Sequence, residues 1–377
     1  MNKNSSKRSF QKLYKRIRGI VKRNKFIFSL HRHITDKDYK RQKKLMKTCT
    51  LKTREQIKKE MNIYSKYWQC PPDDYIRYGL FNKSLSIDEI LDYVPMQYYY
   101  CDYQDKMVGD IIKLSDKWEE YKLFKEKGIP QPEVIALVED GQLFSFSEND
   151  DSLRKMNWDN LKDLIKESEK IFIKPVNGNC GTGICVIKKV NGQIYLREKV
   201  IQQFSQIPIQ SHLKYIIQRG LIQRSDLNSI NESSLNTLRT IVKYVDNEAV
   251  IIAILLRIGR KGSDVDNSGQ GGISIEVNLK DGSLSEFAGR EHGGNVFYRH
   301  PDTGFIFKGT KLKNWDKVLE QIKNIVSKID GFRTIGWDIA ICEDKVYAIE
   351  INFGWGIEHA QTIAGGFRRR MGIFPNI

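Results

Sequence analysis

Residues 336–352 read GWDIAICEDKVYAIEIN, two segments of alternating polar and apolar residues on either side of Asp344. Side chains alternate between the two faces of a strand, so the pattern predicts a hairpin with one polar and one apolar face. If the turn centres on Asp344, Asp338 lies directly opposite Glu350, with Cβ atoms roughly 5 Å apart. Asn352 shares the face of Glu350. We expect the opposite face to be buried and to consist of Trp337, Ile339, Ile349 and Ile351.

Two carboxylates that face each other repel, so the pairing of Asp338 with Glu350 needs a compensating group. A Mg²⁺ ion would supply it, because hard cations prefer carboxylate and amide oxygens, and Mg²⁺ usually also binds nucleotide phosphates. The alternative is a solvated polar strand face in which the carboxylates are slipped by one register.

The rest of the chain after residue 170 also predicts paired strands. Asn-Gly and similar dipeptides between alternating segments favour hairpins. Such segments are residues 184–196 around Asn191-Gly192 and residues 239–257 around Asp246-Asn247, and residues 273–279 lead into Asp281-Gly282. The pattern predicts an α+β fold built mainly from antiparallel hairpins, without the regular βαβ alternation of a doubly wound sheet.

Helices are predicted before and beside these strands. Ser115 can cap a helix over residues 115–127, which Gly128 ends, and a strand follows at 134–138. Residues 315–327 predict a helix that packs on the sheet. Residues 61–110 are rich in aromatic side chains and predict a helical lobe.

Residues 174–183 read KPVNGNCGTG and follow the apolar run at 171–173. Lys174 ends a predicted strand, so its ammonium has a fixed place, and glycines at 178, 181 and 183 let backbone N–H groups approach a ligand closely. A polyphosphate, which has many acceptors, is the ligand that such a loop suits. The alternative is an ordinary glycine-rich hairpin.

The net charge of +16 is confined to the N-terminus. Residues 1–60 contain 21 Lys and Arg and 4 Asp and Glu, whereas the remaining residues are nearly neutral. One helical face is apolar in residues 1–30, where the face consists of Phe10, Leu13, Tyr14, Ile17 and Val21. This basic amphipathic segment could lie on an anionic membrane surface or dock on its own domain, and nucleic acid is the least favoured partner because no base-reading module is recognisable.

No apolar run approaches the roughly 20 residues that span a bilayer, and no secretory signal is recognisable. The six cysteines are scattered without a C-x-x-C pair, which favours reduced thiols. We therefore expect a cytoplasmic protein, with peripheral attachment to the inner face of the cell membrane as an option.

Taken together, these segments resemble the ATP-grasp superfamily, and more narrowly the sugar-transfer-associated ATP-grasp proteins, which are related to α-L-glutamate ligases. The resemblance runs in order over roughly residues 85–360. It is carried by LSDKWEEYKLFKEKGIPQP, IKPVNGNCGTGICVI, YIIQRGLIQ, SSLNTLRTIV, VDNSGQGGISIEV, HPDTGFIFKG and GWDIAI with EIN.

The resemblance implies a nucleotide site. Lys174 is similar to the lysine that contacts the α- and β-phosphates of ATP, and Lys117 to a second lysine near the nucleotide. The glycine flap, which contains Gly178, Gly181 and Gly183, would close over the triphosphate. In the hinge strand YIIQRGLIQ, Gln218 and Leu221 would read adenine. Many ATP-grasp enzymes have a hinge glutamate for the ribose, and Gln223 is the nearest equivalent here.

The resemblance also implies the chemistry. Asp338, Glu350 and Asn352 would hold one or two Mg²⁺ ions, and Arg239 and Arg257 would face the γ-phosphate and the acceptor. His300, in the family-like stretch HPDTG of the loop of residues 289–304, would contact substrate or act as a general base. The alternative is a solvated loop. No protein nucleophile is needed, and Cys180 is interpreted as a small filler residue.

We thus expect ATP-grasp subdomains at residues 111–217 and 218–377, preceded by a basic helical region at 1–60 and the helical lobe at 61–110. The two α+β subdomains would grip ATP between antiparallel sheets. The expected reaction joins a small-molecule or glycan carboxylate to an amine, in the assembly of cell-surface polysaccharide. The alternatives are phosphoryl transfer to a sugar hydroxyl and a non-catalytic nucleotide-binding component.

Overall fold

The computed structural model describes residues 25–103, 116–147, 152–178, 181–290 and 295–375. The chain forms two compact units. One consists of residues 1–108, 289–296 and 354–377, and the other of residues 109–288 and 297–353. The amphipathic face from Phe10 to Val21 and the predicted helix start at Ser115 lie outside the described residues.

The first unit is helical, as predicted for the N-terminal region. Two of its helices begin with reciprocal capping boxes, one between Thr53 and Gln56 and one between Ser86 and Glu89, which satisfy backbone N–H groups at each helix start. The helices are Lys25–Thr35, Lys37–Thr48, Arg54–Trp68, Asp73–Arg77, Ile87–Leu91, Met96–Tyr98, Ile357–Ala364 and Arg368–Met371, with a 3₁₀ turn at Leu80–Asn82 and a π turn at Tyr99–Tyr103.

Aromatic side chains fill the core of this helical unit. Tyr64, Trp68, Tyr75 and Tyr99 are fully buried, and the Tyr64 and Trp68 rings make edge contacts with neighbouring tyrosines. The aromatic-rich sequence that predicted a helical lobe is therefore the sequence that supplies its core.

The second unit contains two antiparallel sheets. The strands of the first sheet are Val134–Glu139, Gln142–Phe146, Leu153–Lys155, Lys170–Pro175, Cys185–Val190, Gln193–Leu196, Lys199–Ile201 and Tyr215–Arg219, which are β1 to β8. Those of the second are Thr237–Val245, Glu248–Ile258, Ile273–Val277, Ala288–Gly289, Val296–Phe297, Thr334–Ile341 and Val346–Asn352, which are β9 to β15. The two-residue strands β12 and β13 lie where the chain passes from one unit to the other. The first sheet runs in the order β3-β2-β1-β8-β4-β5-β6-β7, and the second in the order β13-β12-β11-β10-β9-β14-β15.

The helices of this unit include the two that the sequence predicts. One is Lys117–Glu126, whose N-terminal N–H groups are capped by the Asp116 carboxylate at 2.9 and 3.1 Å. The predicted cap was Ser115, so the observed capping residue lies one position later. The second predicted helix is Trp315–Val326. The unit also contains the helices Trp158–Leu164 and Ser225–Asn228, with 3₁₀ turns at Phe204–Gln206 and Ser268–Gln270.

The predicted hairpin turns are confirmed. Asn191 and Gly192 have φ of 50° and 73°, and Asp246 and Asn247 have φ of 50° and 65°. Both central residues of each turn are thus left-handed, as a type I′ turn requires. The antiparallel α+β class predicted from the sequence is confirmed as well.

The terminal hairpin β14–β15 has the predicted register at its functional end. Asp338 pairs with Glu350, and Gly336 with Asn352. A β-bulge follows, so that Ile339 pairs with Ala348. The extra residue is Ile349, which was predicted to be buried but is only partly buried and lines a cavity instead. The bulge turns its side chain away from the core face.

The predicted division of the second unit at residues 217 and 218 remains a prediction. Strand β8, Tyr215–Arg219, spans that position and belongs entirely to the first sheet. Among the described residues, no helix is both long enough and apolar enough to cross a bilayer.

Gly282 allows a close backbone approach that a side chain would prevent. Its φ is 70°, and a Cβ atom built on it would lie 2.6 Å from the Trp315 ring at the start of the helix Trp315–Val326. Gly192 has a similar φ of 73° but nothing within 4 Å of such a Cβ atom. Substitution of Gly192 would therefore test backbone strain alone, whereas substitution of Gly282 would add steric overlap with Trp315.

We predict that Gly192→Ala lowers the free energy of unfolding by about 1 kcal/mol, the cost of a left-handed alanine. Gly282→Ala should cost about 1–3 kcal/mol more, because the methyl group also overlaps Trp315. Urea unfolding followed by circular dichroism measures both. Equal midpoints for the two variants would contradict the proposed overlap.

Candidate functional site

Asp338 lies at the centre of a buried ionic cluster. Arg239 donates to its two carboxylate oxygens from Nε at 2.6 Å and Nη2 at 3.3 Å, and Arg257 Nη2 lies 3.1 Å from Oδ2. Asp338 is 2% exposed. Burial by itself would raise the pKa of Asp338, but the two guanidiniums hold it below its usual value. The carboxylate therefore stays ionised at neutral pH.

Glu350 and Asn352 stand beside this cluster on the neighbouring strand. The Asn352 amide lies 3.4 Å from Asp338 Oδ2 and 3.4 Å from Glu350 Oε1, and so links the two carboxylates. The Glu350 side chain is 30% exposed. Strand alternation puts Glu350 and Asn352 on one face, and the register brings Asp338 opposite Glu350.

The donor set suits a hard cation, since it consists of two carboxylates and one amide. Within the described ranges, no group of three or more His, Cys, Asp or Glu side chains converges in a way that could hold a metal. An ion bound here would therefore need further oxygens from a ligand or from water, as Mg²⁺ commonly does in nucleotide sites.

Arg257 is oriented by groups that the sequence did not single out. Its Nη2 lies 3.1 Å from Asp266 Oδ1, and its Nε lies 3.1 Å from Thr237 Oγ1. Thr237 in turn donates to Asp266 from its backbone N at 2.9 Å. Asp266 lies in the stretch VDNSGQGG that carries part of the resemblance, which was the available signal. These contacts hold the guanidinium against Asp338.

Lys174 is the second-to-last residue of strand β4, which ends at Pro175, and its ammonium donates to Gln218 Oε1 at 2.7 Å. The Gln218 amide donates to Pro132 O at 3.1 Å, which fixes the side chain. Burial lowers the pKa of Lys174 from 10.5 to about 8, although Glu350 acts in the opposite direction. The fold thus holds a partly desolvated cation here.

Lys117 connects the glycine flap to the carboxylate pair. Its ammonium donates to the Gly178 carbonyl at 2.6 Å and lies 3.6 Å from Glu350 Oε2. Gly181 and Gly183 have φ of 66° and 78°, so the flap uses left-handed glycines as predicted. Gly178 has no such φ, and residues 179 and 180 lie outside the described ranges.

Glu120 is a site residue that the sequence reading missed. It lies one helical turn after Lys117 and is 5% exposed, and its Oε2 accepts the Ile351 N–H at 3.1 Å. Burial, followed by repulsion from Glu350, raises the pKa of Glu120 well above its usual value. Burial and the nearby Glu350 thus favour the protonated form of Glu120. The i, i+3 spacing from Lys117 was the only signal for it.

Lys117, Lys174, Gln218 and Glu120 line one narrow cavity, with room for about one water molecule. Its walls come from the helix Lys117–Glu126, from the first sheet and from β15. The lining residues are Lys117, Glu120, Tyr121, Gln131, Lys174, Ile216, Gln218 and Ile349. A nucleotide could enter only if these walls separate.

Other predicted site residues have different surroundings. Gln223 is buried in a polar network, where its amide donates to Asn228 Oδ1 and Asn231 O and accepts from Asn236 N. Leu221 follows β8 and is partly exposed. The structure does not bring Gln223 to the lysine and carboxylate cluster.

His300 also has a structural environment. It is fully buried, with Nε2 2.9 Å from Gly259 O and Nδ1 accepting from Thr303 N at 3.2 Å. Burial lowers its pKa. Because both ring nitrogens are engaged, the predicted role as a general base is not supported by its contacts.

The lysine pair, the glycine flap and the carboxylate–arginine cluster all lie within an antiparallel α+β unit of the ATP-grasp fold. The chain belongs to the sugar-transfer-associated ATP-grasp family, which it matches over residues 99–371. No curated protein shows a significant match to the chain.

Solved structures of ATP-grasp enzymes resemble the chain only distantly. A carboxyaminoimidazole ribonucleotide synthase from Aspergillus clavatus, complexed with ATP, is 11% identical over 70% of this chain and 53% of its own, with a TM-score of 0.37. An L-amino acid ligase from Bacillus licheniformis is 10% identical over 78% and 49%, with a TM-score of 0.36. A D-alanine–D-alanine ligase from Bacillus anthracis is 12% identical over 64% and 56%, with a TM-score of 0.32. The chain spans about half the length of these proteins.

We predict that Lys174→Met raises the free energy of unfolding by about 1–3 kcal/mol at pH 7, because it removes a charge that the fold disfavours. The pKa is lower in the folded than in the unfolded chain, so unfolding binds protons between about pH 8 and 10.5 and wild-type stability rises there. The advantage of the variant should shrink accordingly. Urea unfolding at pH 7 and pH 9.5 measures it.

Lys170→Met is the matched control for this prediction. Lys170 lies on the same strand, but its side chain is 44% exposed and pairs with Asp264 at 3.0 Å. Its loss should change stability by about 0.5 kcal/mol or less. If Lys174→Met destabilises the protein at pH 7 more than Lys170→Met does, burial does not disfavour the charged form of Lys174.

Proposed function

We propose that the chain is an ATP- and Mg²⁺-dependent carboxylate–amine ligase that acts on a glycan or small-molecule carboxylate in cell-surface polysaccharide assembly. The observation that carries the proposal is the position of Asp338, held by Arg239 and Arg257 and directly opposite Glu350. Family membership supports ATP as the nucleotide and a sugar-linked pathway. We place the enzyme in the cytoplasm, where ATP is available.

The nucleotide would bind between the lysine pair and the glycine flap. Lys174 would leave Gln218 and contact the α- and β-phosphates, since an anionic ligand restores the charge that burial disfavours. Lys117 would contact phosphate beside the flap. Gly181 and Gly183 would present backbone N–H groups, and Gln218 and Leu221 would line the adenine side. Gln223 would contact the ribose only by leaving its buried network.

Asp338, Glu350 and Asn352 would hold one or two Mg²⁺ ions. When bound, Mg²⁺ neutralises phosphate charge and favours phosphoryl transfer. Arg239 and Arg257 would stabilise charge on the transferred phosphoryl group and on the acceptor carboxylate, a role for preorganised cations. Asp266 would keep Arg257 oriented during this exchange.

The proposed reaction has two steps. An acceptor carboxylate oxygen attacks the γ-phosphorus of ATP, and the bond from this phosphorus to the bridging oxygen breaks. ADP departs, and the acceptor becomes an acyl phosphate. An amine then attacks the acyl carbon, inorganic phosphate leaves with the C–O bond electrons, and the amine proton passes to solvent or phosphate. The protein positions the two anions and needs no nucleophile.

The environment of His300 favours a carboxylate acceptor over a sugar hydroxyl. A hydroxyl acceptor has a proton that a base must take, whereas a carboxylate has none. His300 was the candidate base, and its two ring nitrogens already bond to Gly259 and Thr303. The phosphoryl-transfer step to a carboxylate therefore requires no general base.

Product analysis tests the proposal. Purified protein is incubated with Mg²⁺-ATP, a panel of uronic-acid glycans and amino acids, and products are identified by mass spectrometry. A ligase releases ADP only when both carboxylate and amine are present, and its product lacks one water relative to the substrates. A phosphorylated glycan formed without amine would instead identify a kinase. ATP binding without any product would identify a non-catalytic component.

We predict that Glu350→Gln lowers turnover by about a hundredfold or more, because a carboxylate ligand is lost. The Mg²⁺ concentration for half-maximal rate should rise in the same variant. Glu286→Gln is the control, because Glu286 is half exposed and pairs with Lys308 on the surface. Unchanged turnover and Mg²⁺ dependence in Glu350→Gln would remove Glu350 from the metal site.

We also predict a pH dependence of ATP affinity. As pH rises from 7 to about 9.5, Lys174 passes its pKa of about 8 and loses its charge, so affinity should fall by roughly tenfold. Lys174→Arg retains a cation throughout and should flatten the profile, even if its affinity is lower at pH 7. Titration calorimetry with Mg²⁺-ATP measures both. Parallel profiles would assign the titration to another group.

A further inference from the structure

The helix Lys25–Thr35 has an inverted distribution of polar and apolar side chains. Leu30 is 59% and Ile34 is 67% exposed, and Ile27, one turn earlier, is 40% exposed. On the opposite face, Ser29 and Arg32 are buried. In a helix that only packs on its own domain, the apolar stripe faces inward. Here Ile27, Leu30 and Ile34 form the apolar stripe, and it faces solvent.

A buried ionic network fixes this rotation of the helix. Arg32 donates to both oxygens of Asp74 at 2.9 Å and to Asp36 at 3.0 Å. His33 Nε2 lies 2.9 Å from Asp73 Oδ1, and the Ser29 hydroxyl donates to the same carboxylate. Turning the stripe inward would break these bidentate contacts and leave Asp74 buried beside no guanidinium. The buried ionic network therefore keeps the apolar stripe exposed.

Basic side chains accompany the stripe. Residues 25–48 contain eight Lys and Arg and two Asp, and the two Asp, at 36 and 38, are paired with arginines. In the helix Lys37–Thr48 the exposed charges are lysines, at 37, 40, 43, 44 and 47. Tyr39 of this helix stacks on His33 at 4.5 Å, which ties the two helices together. Leu45 adds a further exposed apolar side chain at 40%.

We propose that the helices Lys25–Thr35 and Lys37–Thr48 form a docking surface for an anionic lipid bilayer. The apolar stripe would enter the interface between headgroups and acyl chains, while the lysines contact anionic headgroups. This surface goes beyond the proposed ligase activity and is independent of it.

The lysines and the apolar stripe together argue against other binding partners for this surface. A second copy of the chain would bring two lysine-rich surfaces together, which repel. Residues 1–24 contain nine Lys and Arg and no Asp or Glu, so they would repel the lysines in the same way. A nucleic acid would satisfy the lysines but offers the exposed Leu30 and Ile34 no apolar partner. An anionic bilayer matches both the charge and the apolar side chains.

The test is cosedimentation of the full chain with vesicles of phosphatidylcholine alone or with about a third phosphatidylglycerol. We expect binding to the anionic vesicles only, and loss of binding at about 0.5 M salt. Leu30→Ser with Ile34→Ser should weaken binding by about tenfold or more. Lys40→Gln, Lys44→Gln and Lys47→Gln together should do the same.

Leu153→Ser with Val245→Ser is the matched control, since these side chains are 41% and 48% exposed in the other unit. It should bind like the wild type, and circular dichroism should show that all variants are folded. Wild-type protein that ignores anionic vesicles, or a Leu30/Ile34 variant that binds them unchanged, would overturn the proposal.

Three further outcomes would assign the surface to another occupant and so overturn the proposal. In the first, light scattering shows a dimer that the Leu30/Ile34 variant converts to a monomer, without vesicle binding. In the second, only a chain lacking residues 2–24 binds vesicles. In the third, a double-stranded oligonucleotide binds through the lysines while the vesicles do not.

Discussion

The arrangement of the site depends on how the Asp338 carboxylate is neutralised. An ion of this charge is costly to bury, and Arg239 and Arg257 offset the cost by approaching it from β9 and β10. Their side chains are held in turn by Asp266, Thr237 and the strand register. The same contacts that stabilise the sheet therefore preorganise two cations and one anion where a phosphoryl group would be transferred.

The charged groups that line the narrow cavity are stabilised less well than Asp338. Burial lowers the pKa of Lys174 and raises the pKa of Glu120, so the surroundings disfavour the charged form of both side chains. Both conditions arise from burial rather than from a direct partner of opposite charge. A polyanion that brings its own cation would relieve Lys174 without requiring Glu120 to ionise. In the proposed function, burial of these two groups lowers stability in exchange for a site that suits a polyanion.

Much of the fold could be predicted from the sequence because local chemistry specifies it. Asn191-Gly192 and Asp246-Asn247 fix hairpin turns, and alternation in residues 336–352 fixes which side chains share a face. Features set by tertiary partners could not be predicted. His300 was interpreted as a possible base because it lies in the family-like stretch HPDTG, whereas its carbonyl partner, Gly259, is 41 residues away in the chain. Likewise, nothing local indicated that Asn236 engages Gln223, or that Glu120 contacts β15.

The bulge at Ile349 has a consequence for how the terminal hairpin can vary. It divides the ladder into a half next to the turn, in which Ile339 pairs with Ala348, and a half that carries Asp338 and Glu350. Pairing in the two halves is offset by one position. A change of turn length near Asp344 could therefore be absorbed where the ladder is already irregular. The turn could then change in length while the pairing of Asp338 with Glu350 is kept.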